Sequence, residues 1–223
     1  MSTVTTQEEM TAVDEPLFPQ TRSKRGEPTW EIAERYPRQG EWTEEDYFAL
    51  EADYFVEFVD GVLEFLPMPT IRHQETVDFL HDLLQSHVNF RKLGKVLFAP
   101  LPVKLFKGRI REPDIVYLNR EQVKAAKGKY PNGAALVVEV VSPDDESRKR
   151  DHEDKPVDYA RAGVKEYWIV DPETQTIKVL TLSGKKYKTH GEFQPGTAAT
   201  SVLFDGFSVN VADVFAAADQ VDD

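Results

Sequence analysis

The chain has no cysteine. That excludes disulfides, thiolate metal sites and cysteine nucleophiles, and it fits a reducing compartment. Long apolar runs are also missing: the longest, such as Ala134–Val141, are strand-sized and far below the roughly 18 residues that a membrane-spanning helix requires. No basic-then-apolar leader pattern opens the sequence, because Gln7, Glu8 and Glu9 stand where its core would lie. A cytoplasmic protein without a membrane segment is therefore expected. Positive charge is scarce: 27 Lys and Arg face 39 Asp and Glu, a formal net charge of −12. Leaving out the net −2 of residues 1–30 and the net −3 of residues 216–223 still leaves 31–215 at −7. Such a balance argues against nonspecific coating of nucleic acid, so any anionic partner has to be met by local charge.

What remains is ordinary globular material: 223 residues, 40% hydrophobic and 30% charged. Residues 1–40 are rich in Thr, Glu, Gln and Pro, with Pro16, Pro19, Pro28 and Pro37 breaking any periodicity. They predict an N-terminal arm, flexible or interface-forming. One domain is expected over 41–217 and an acidic tail over 218–223. Thr43 followed by Glu44, Glu45 and Asp46 predicts a capped short helix to about Leu50. Tyr54–Leu66 predicts a hairpin about Asp60-Gly61. Thr70 predicts the cap of a helix ending near Gly94, with Ile71, Val77, Leu80, Leu84 and Val88 on one face. Strands are expected over Lys95–Phe106, Ile110–Leu118, Ala134–Val141 and Glu166–Val170, with a helix from about Arg150 to Ala162 stopping at Gly163. A second hairpin (Thr176–Leu182, Lys185–His190), an apolar segment Val202–Val209 and a last helix from about Val211 to Ala217 complete one α/β domain with a mixed sheet.

Three features carry chemistry. Glu112-Pro113-Asp114 holds a carboxylate at the start of a strand. Glu139 lies inside the otherwise apolar Leu136–Val141, where a carboxylate is badly desolvated unless a cation or strong hydrogen bonds compensate it. A Mg²⁺ ion, or Mn²⁺ in its place, shared by Asp114 and Glu139 supplies that compensation, since hard oxygen ligands suit these ions better than zinc. The bland alternatives are turn amides for Asp114 and a buried arginine for Glu139. Lys155 is the third feature: Asp151, Lys155 and Tyr159 share one helix face, and an ammonium beside a metal can orient water and stabilise charge on a phosphate. By composition alone Lys155 is solvent-facing material.

The order Glu-Pro-Asp, strand, then Glu resembles the PD-(D/E)xK nuclease superfamily. There the lysine usually stands two residues beyond the glutamate, where this sequence has Val141. More narrowly, the chain is similar to the bacterial Uma-type restriction-endonuclease family. The match rests on Glu57-Phe-Val-Asp60-Gly61, His73, Glu112-Pro-Asp114 and Val138-Glu139-Val-Val-Ser142-Pro143. It continues through Asp151, Lys155, Tyr159-Ala-Arg-Ala-Gly163-Val and Glu166-Tyr-Trp168-Ile-Val-Asp171-Pro172, covering roughly residues 42 to 215. The resemblance implies a restriction-endonuclease-like core, a mixed central β-sheet flanked by helices with added hairpins, and a lysine carried by the following helix. Lys155 takes that role. Glu57 is implied as a further acidic member contacting the metal or the nucleophilic water, and His73 as an accessory hydrogen-bond donor. The implied activity is Mg²⁺-dependent endonucleolytic hydrolysis of DNA. Trp168 and Tyr167 are expected as core residues.

Two basic clusters flank these acids in sequence. Lys104, Lys107, Arg109 and Arg111 precede Asp114, and Arg148, Lys149 and Arg150 fall between Glu139 and Lys155. They are candidate DNA-phosphate contacts, against the plainer reading of solvated loops. Two strands to cut suggest a homodimer, with the arm or the first hairpin at its interface. The acidic balance keeps two other functions open: a nuclease-fold binding or assembly module with weak or absent cleavage, and an enzyme acting on a small phosphorylated or nucleotide substrate.

Overall fold

A computed structural model describes residues 36–50 and 55–219. Most of the arm expected over 1–40, and the acidic tail expected over 218–223 apart from its first backbone positions, lie outside them. Thr43 caps α1 (Glu44–Ala49) in both directions: its hydroxyl accepts from the Asp46 amide at 3.1 Å and its amide donates to Asp46 Oδ2 at 2.8 Å. The hairpin β1 (Val56–Val59) and β2 (Val62–Phe65) turns at Asp60 and Gly61, both at positive φ (47° and 87°). Only glycine fits the second position, because a Cβ there would stand 2.6 Å from the Gly40 carbonyl oxygen.

Thr70 accepts from the His73 amide and starts α2 (Ile71–Phe90). Val77, Leu80, Leu84 and Val88 are buried on its inner face, whereas Ile71, expected among them, is 63% exposed at the helix start. Each of the two long strands expected next is two strands. Pro100 and Pro102 separate β3 (Gly94–Phe98) from β4 (Val103–Phe106), and Pro113 separates β5 (Arg109–Arg111) from β6 (Ile115–Asn119). Proline offers no amide to a ladder, so the chain changes sheet at these points. Asn119 caps α3 (Arg120–Ala126), a helix that the sequence pattern did not single out.

After β7 (Leu136–Val140), Asp144 accepts from the Ser147 amide and opens α4 (Asp145–Lys149), five residues before the predicted helix start. A π-helical turn, Arg150–Asp154, leads into α5 (Lys155–Ala162), which ends at Gly163 with φ 79°. The rest is β8 (Glu166–Asp171), the hairpin β9 (Thr176–Ser183) and β10 (Lys186–Phe193), the short pair β11 (Ala198–Thr200) and β12 (Ser208–Asn210), and α6 (Val211–Asp219).

The central sheet has the order β10-β9-β8-β7-β6-β3, and a smaller sheet the order β2-β1-β5-β4. Pairing of β7 with β8 is parallel and with β6 antiparallel, so the central sheet is mixed as expected. Alternation along β7 divides its side chains. Leu136, Val138 and Val140 join the core under α2 and α6, whereas Val137 and Val141 join Tyr159, Val164, Tyr167 and Ile169 beneath α5. Glu139 has the parity of Val137 and Val141 and therefore faces α5. A third cluster, Trp42, Tyr47, Val56, Phe58, Leu63 and Ile110, packs α1 against the smaller sheet.

Candidate active site

The ladder between β6 and β7 pairs Ile115 with Val138, so one further antiparallel step sets Asp114 against Glu139. Asp114 reaches across the strands, and its Oδ2 accepts from the Val140 amide at 2.7 Å. Glu139 is 2% exposed. Its Oε1 accepts from the Tyr159 hydroxyl at 2.5 Å, and its Oε2 lies 2.9 Å from Lys155 Nζ. Lys155 Nζ is also 2.9 Å from Asp151 Oδ1 and 3.8 Å from Glu57 Oε1. The expected shared face of Asp151, Lys155 and Tyr159 thus forms, and it is turned inward onto Glu139. The helix can supply the lysine because Glu139 faces α5, while Val141, at the usual lysine place, is packed into the core beneath that helix. The π turn at 150–154 immediately precedes Lys155, a local widening that often re-aims side chains at functional sites.

A cavity of about 60 Å³, room for a few waters, is lined by His73, Glu112, Asp114, Glu139, Arg150, Asp151 and Lys155. Burial pushes the Glu139 carboxyl up to about 8 against the pull of Lys155, with Asp114, Asp151 and Glu57 pushing the same way. Asp151 is raised for the same reason, burial first. The Glu112 carboxyl rises to about 7, chiefly by burial, while its hydrogen bond from Tyr47 opposes. Burial works against the Lys155 charge, but Asp151 and Glu139 outweigh it and keep the ammonium protonated. His73 is likewise raised over its burial by Asp114, whose Oδ2 lies 3.4 Å from Nε2.

These residues fit a hard divalent cation. Four carboxylates line the cavity against Lys155 and Arg150, and Glu112 Oε2 is buried without a hydrogen-bond partner. Among the described residues no three Asp, Glu or His side chains converge into a ready cage. Mg²⁺, however, is commonly held by one or two carboxylates, completing its shell with water and substrate phosphate.

Glu57 is placed differently from the expectation. It does not line the cavity: it is buried behind Lys155, accepting from Arg111 at 2.6 Å and from the Glu112 amide at 3.0 Å. Burial raises its carboxyl, but Lys155 and Arg111 outweigh this and hold it at about 2. The ladder sets Glu57 directly opposite Glu64, and Arg111 bridges both, reaching Glu64 at 2.8 Å and Asp158 of α5 at 2.7 Å. Arg111, 2% exposed, is thereby corrected from phosphate contact to buried clasp between the small sheet and α5.

Three of the other six basic candidates are also held in ion pairs. Lys104 is paired with Glu44, Arg109 with Asp60 and Asp158, and Arg148 with Asp171 and Glu173. Lys107 and Lys149 are exposed. Only Arg150 of this set lines the cavity, with Nη2 on Ser147 Oγ at 2.8 Å and a buried Nε lacking a partner. Tyr167 and Trp168 are core, as expected, donating to the Asp151 carbonyl and to Glu166. Glu112, Asp151 and Tyr159 also belong to the site, beyond the residues expected there. The one available signal was the helix face shared by the last two with Lys155.

A family model described as "Uma2: Putative restriction endonuclease" matches residues 44–212. The chain belongs to the Uma2 family. That span contains Asp114, Glu139 and Lys155 together with both sheets, so the cavity lies wholly within the Uma2 portion. Among solved structures, the fold is similar to one from Anabaena variabilis ATCC 29413, described as "a putative nuclease belonging to DUF820". The TM-score is 0.68 at 19% identity, over 79% of this chain and 99% of the other. At that identity the likeness concerns the restriction-endonuclease-like fold alone. No curated protein matches. No described helix is long and apolar enough to cross a membrane.

Proposed function

We propose that this Uma2 chain is a Mg²⁺-dependent endonuclease that hydrolyses DNA phosphodiester bonds. The observation that carries the reading is the small cavity shared by Asp114, Glu139 and a buried Lys155 whose amine lies 2.9 Å from Glu139. Asp114 and Glu139 hold Mg²⁺, or Mn²⁺ in its place. Bound there, the ion supplies Lewis-acid polarisation of the phosphoryl oxygens and a more acidic water. Lys155, charged at any working pH, orients the attacking water and stabilises charge developing on the phosphate. Glu57 and Asp151 fix the ammonium from behind, so Glu57 acts through Lys155 instead of on the metal. His73 steadies Asp114, and Arg150 takes a phosphate oxygen at the cavity mouth. A cytoplasmic homodimer, with the arm or the exposed Val62 and Phe65 of the first hairpin at its interface, completes the proposal.

The net charge of −12 favours one rival, a nuclease-fold binding or assembly module. Cleavage of plasmid and oligonucleotide DNA separates the two. The wild type is expected to cut with Mg²⁺ or Mn²⁺ and not with chelator, and Asp114→Ala and Lys155→Ala to lose at least about 100-fold. DNA left uncut by the wild type with both metals hands the case to the binding module.

A further inference from the structure

Beside the candidate site lies a larger cavity of about 470 Å³, within the roughly 300–1,000 Å³ of small-molecule sites. The two cavities share Pro67, His73 and Ser142. A nucleic-acid strand with its phosphate against Asp114 and Glu139 therefore has its neighbouring nucleotide at this second cavity. His73 joins them physically: Nε2 faces Asp114, and Nδ1 is buried without a hydrogen-bond partner.

The lining selects among occupants. Pro67, Met68, Pro143 and Pro172 give flat or soft apolar walls, and the charged groups are Arg72, Asp144 and Glu173. Two carboxylates against one guanidinium make a poor seat for a phosphate. A neutral, flat heterocycle suits it: the ring lies against proline and methionine, exocyclic amino groups meet Asp144 or Glu173, and an acceptor edge meets Arg72. A base stacked and paired within a duplex presents neither its faces nor its pairing edge, so only an unpaired or extruded base can enter.

We infer that this cavity receives an unpaired nucleobase next to the scissile phosphate, so that single-stranded or locally unpaired DNA is the preferred substrate. The inference rests on the nuclease reading above. It goes further by making the second cavity, and not the acidic cluster, the determinant of substrate class.

The test uses the full chain and one short oligonucleotide carrying 2-aminopurine, presented as a single strand, as a single-base bulge and as a perfect duplex. Cleavage is followed with Mg²⁺, and 2-aminopurine fluorescence with Ca²⁺ in its place. Met68 is 75% exposed, so Met68→Trp narrows the cavity without entering the core, and Met68→Ala widens it. The wild type and Met68→Ala are expected to cut the single strand and the bulge at least about tenfold faster than the duplex. In Met68→Trp that ratio falls to within about twofold, and the fluorescence rise on binding the bulge is lost. Equal cleavage of all three forms by the wild type, or a preference kept in Met68→Trp, overturns the inference and leaves the nuclease reading standing. Should nothing be cut, the nuclease reading fails separately. A fluorescence rise that Met68→Trp abolishes then still supports the base pocket, and no rise overturns it.

Discussion

Replacing Arg111 with Met removes a guanidinium that holds Glu57 at 2.6 Å, Glu64 at 2.8 Å and Asp158 at 2.7 Å. Glu57 keeps only Lys155, 3.8 Å away, and the Glu112 amide. Breaking a buried ion pair from one side costs about 3–5 kcal/mol, because the surviving charges stay desolvated. For a chain of this length each kcal/mol lowers Tm by about 2–4 °C, so a fall of about 6–20 °C is expected. The pH dependence gives the sharper signature. In the wild type the Glu57 carboxyl is held at about 2, below its ordinary 4.5. Its contribution is thus present above pH 4.5 and is lost as pH falls toward 2. The gap between wild type and Arg111→Met is therefore widest at neutral pH and closes below about pH 4.5, as Glu57 protonates in the variant. Thermal unfolding by circular dichroism across pH 3–8 measures it. A Tm within about 2 °C of wild type at pH 7 refutes the clasp. So does a loss independent of pH. Had Arg111 been a phosphate contact, Tm would hold and the salt slope of DNA binding would drop by about one.

Two further outcomes concern the cavity. Glu139 at about 8 and Glu112 at about 7 both lie above the ordinary 4.5, so metal-free stability falls as pH rises from about 4.5 through 8. Mg²⁺ competes with those protons: at 100-fold its Kd it should add about 2.7 kcal/mol, or about 5–11 °C, at pH 8.5. The shift should be far smaller at pH 5.5. Scanning fluorimetry at both pH values checks this, and equal shifts contradict the proposed use of Glu139. Arg150→Ala should leave Tm nearly unchanged and lower the salt slope of DNA binding by about one, read by fluorescence anisotropy; an unchanged slope removes Arg150 from the phosphate.

The pair Asp114 and Glu139 was legible because a carboxylate in an otherwise apolar strand has few physical excuses, and the strand pairing sets Asp114 beside it. Lys155 was legible only through the family resemblance. Its position depends on which face of β7 carries Glu139 and on a π turn, and hydrophobic period does not announce either. Arg111 misled because charge spacing in sequence carries no information about burial: a basic residue in a short strand looks alike whether it faces solvent or Glu57. The proline-split strands were misjudged at Pro102 and Pro113, where the chain leaves one sheet for another. Alternation puts Glu112 on the same side as Asp114, and both line one cavity, yet nothing in its sequence setting distinguishes it from an exposed acid at a strand end.

The proposed hydrolysis depends on a metal held by Asp114 and Glu139 beside the Lys155 amine. Anomalous diffraction from a crystal soaked in Mn²⁺ tests it most directly. A peak is expected between the two carboxylates, facing Lys155 Nζ, and it should disappear in Asp114→Asn. No peak there at saturating Mn²⁺, or one bound elsewhere and unaffected by that substitution, would contradict it.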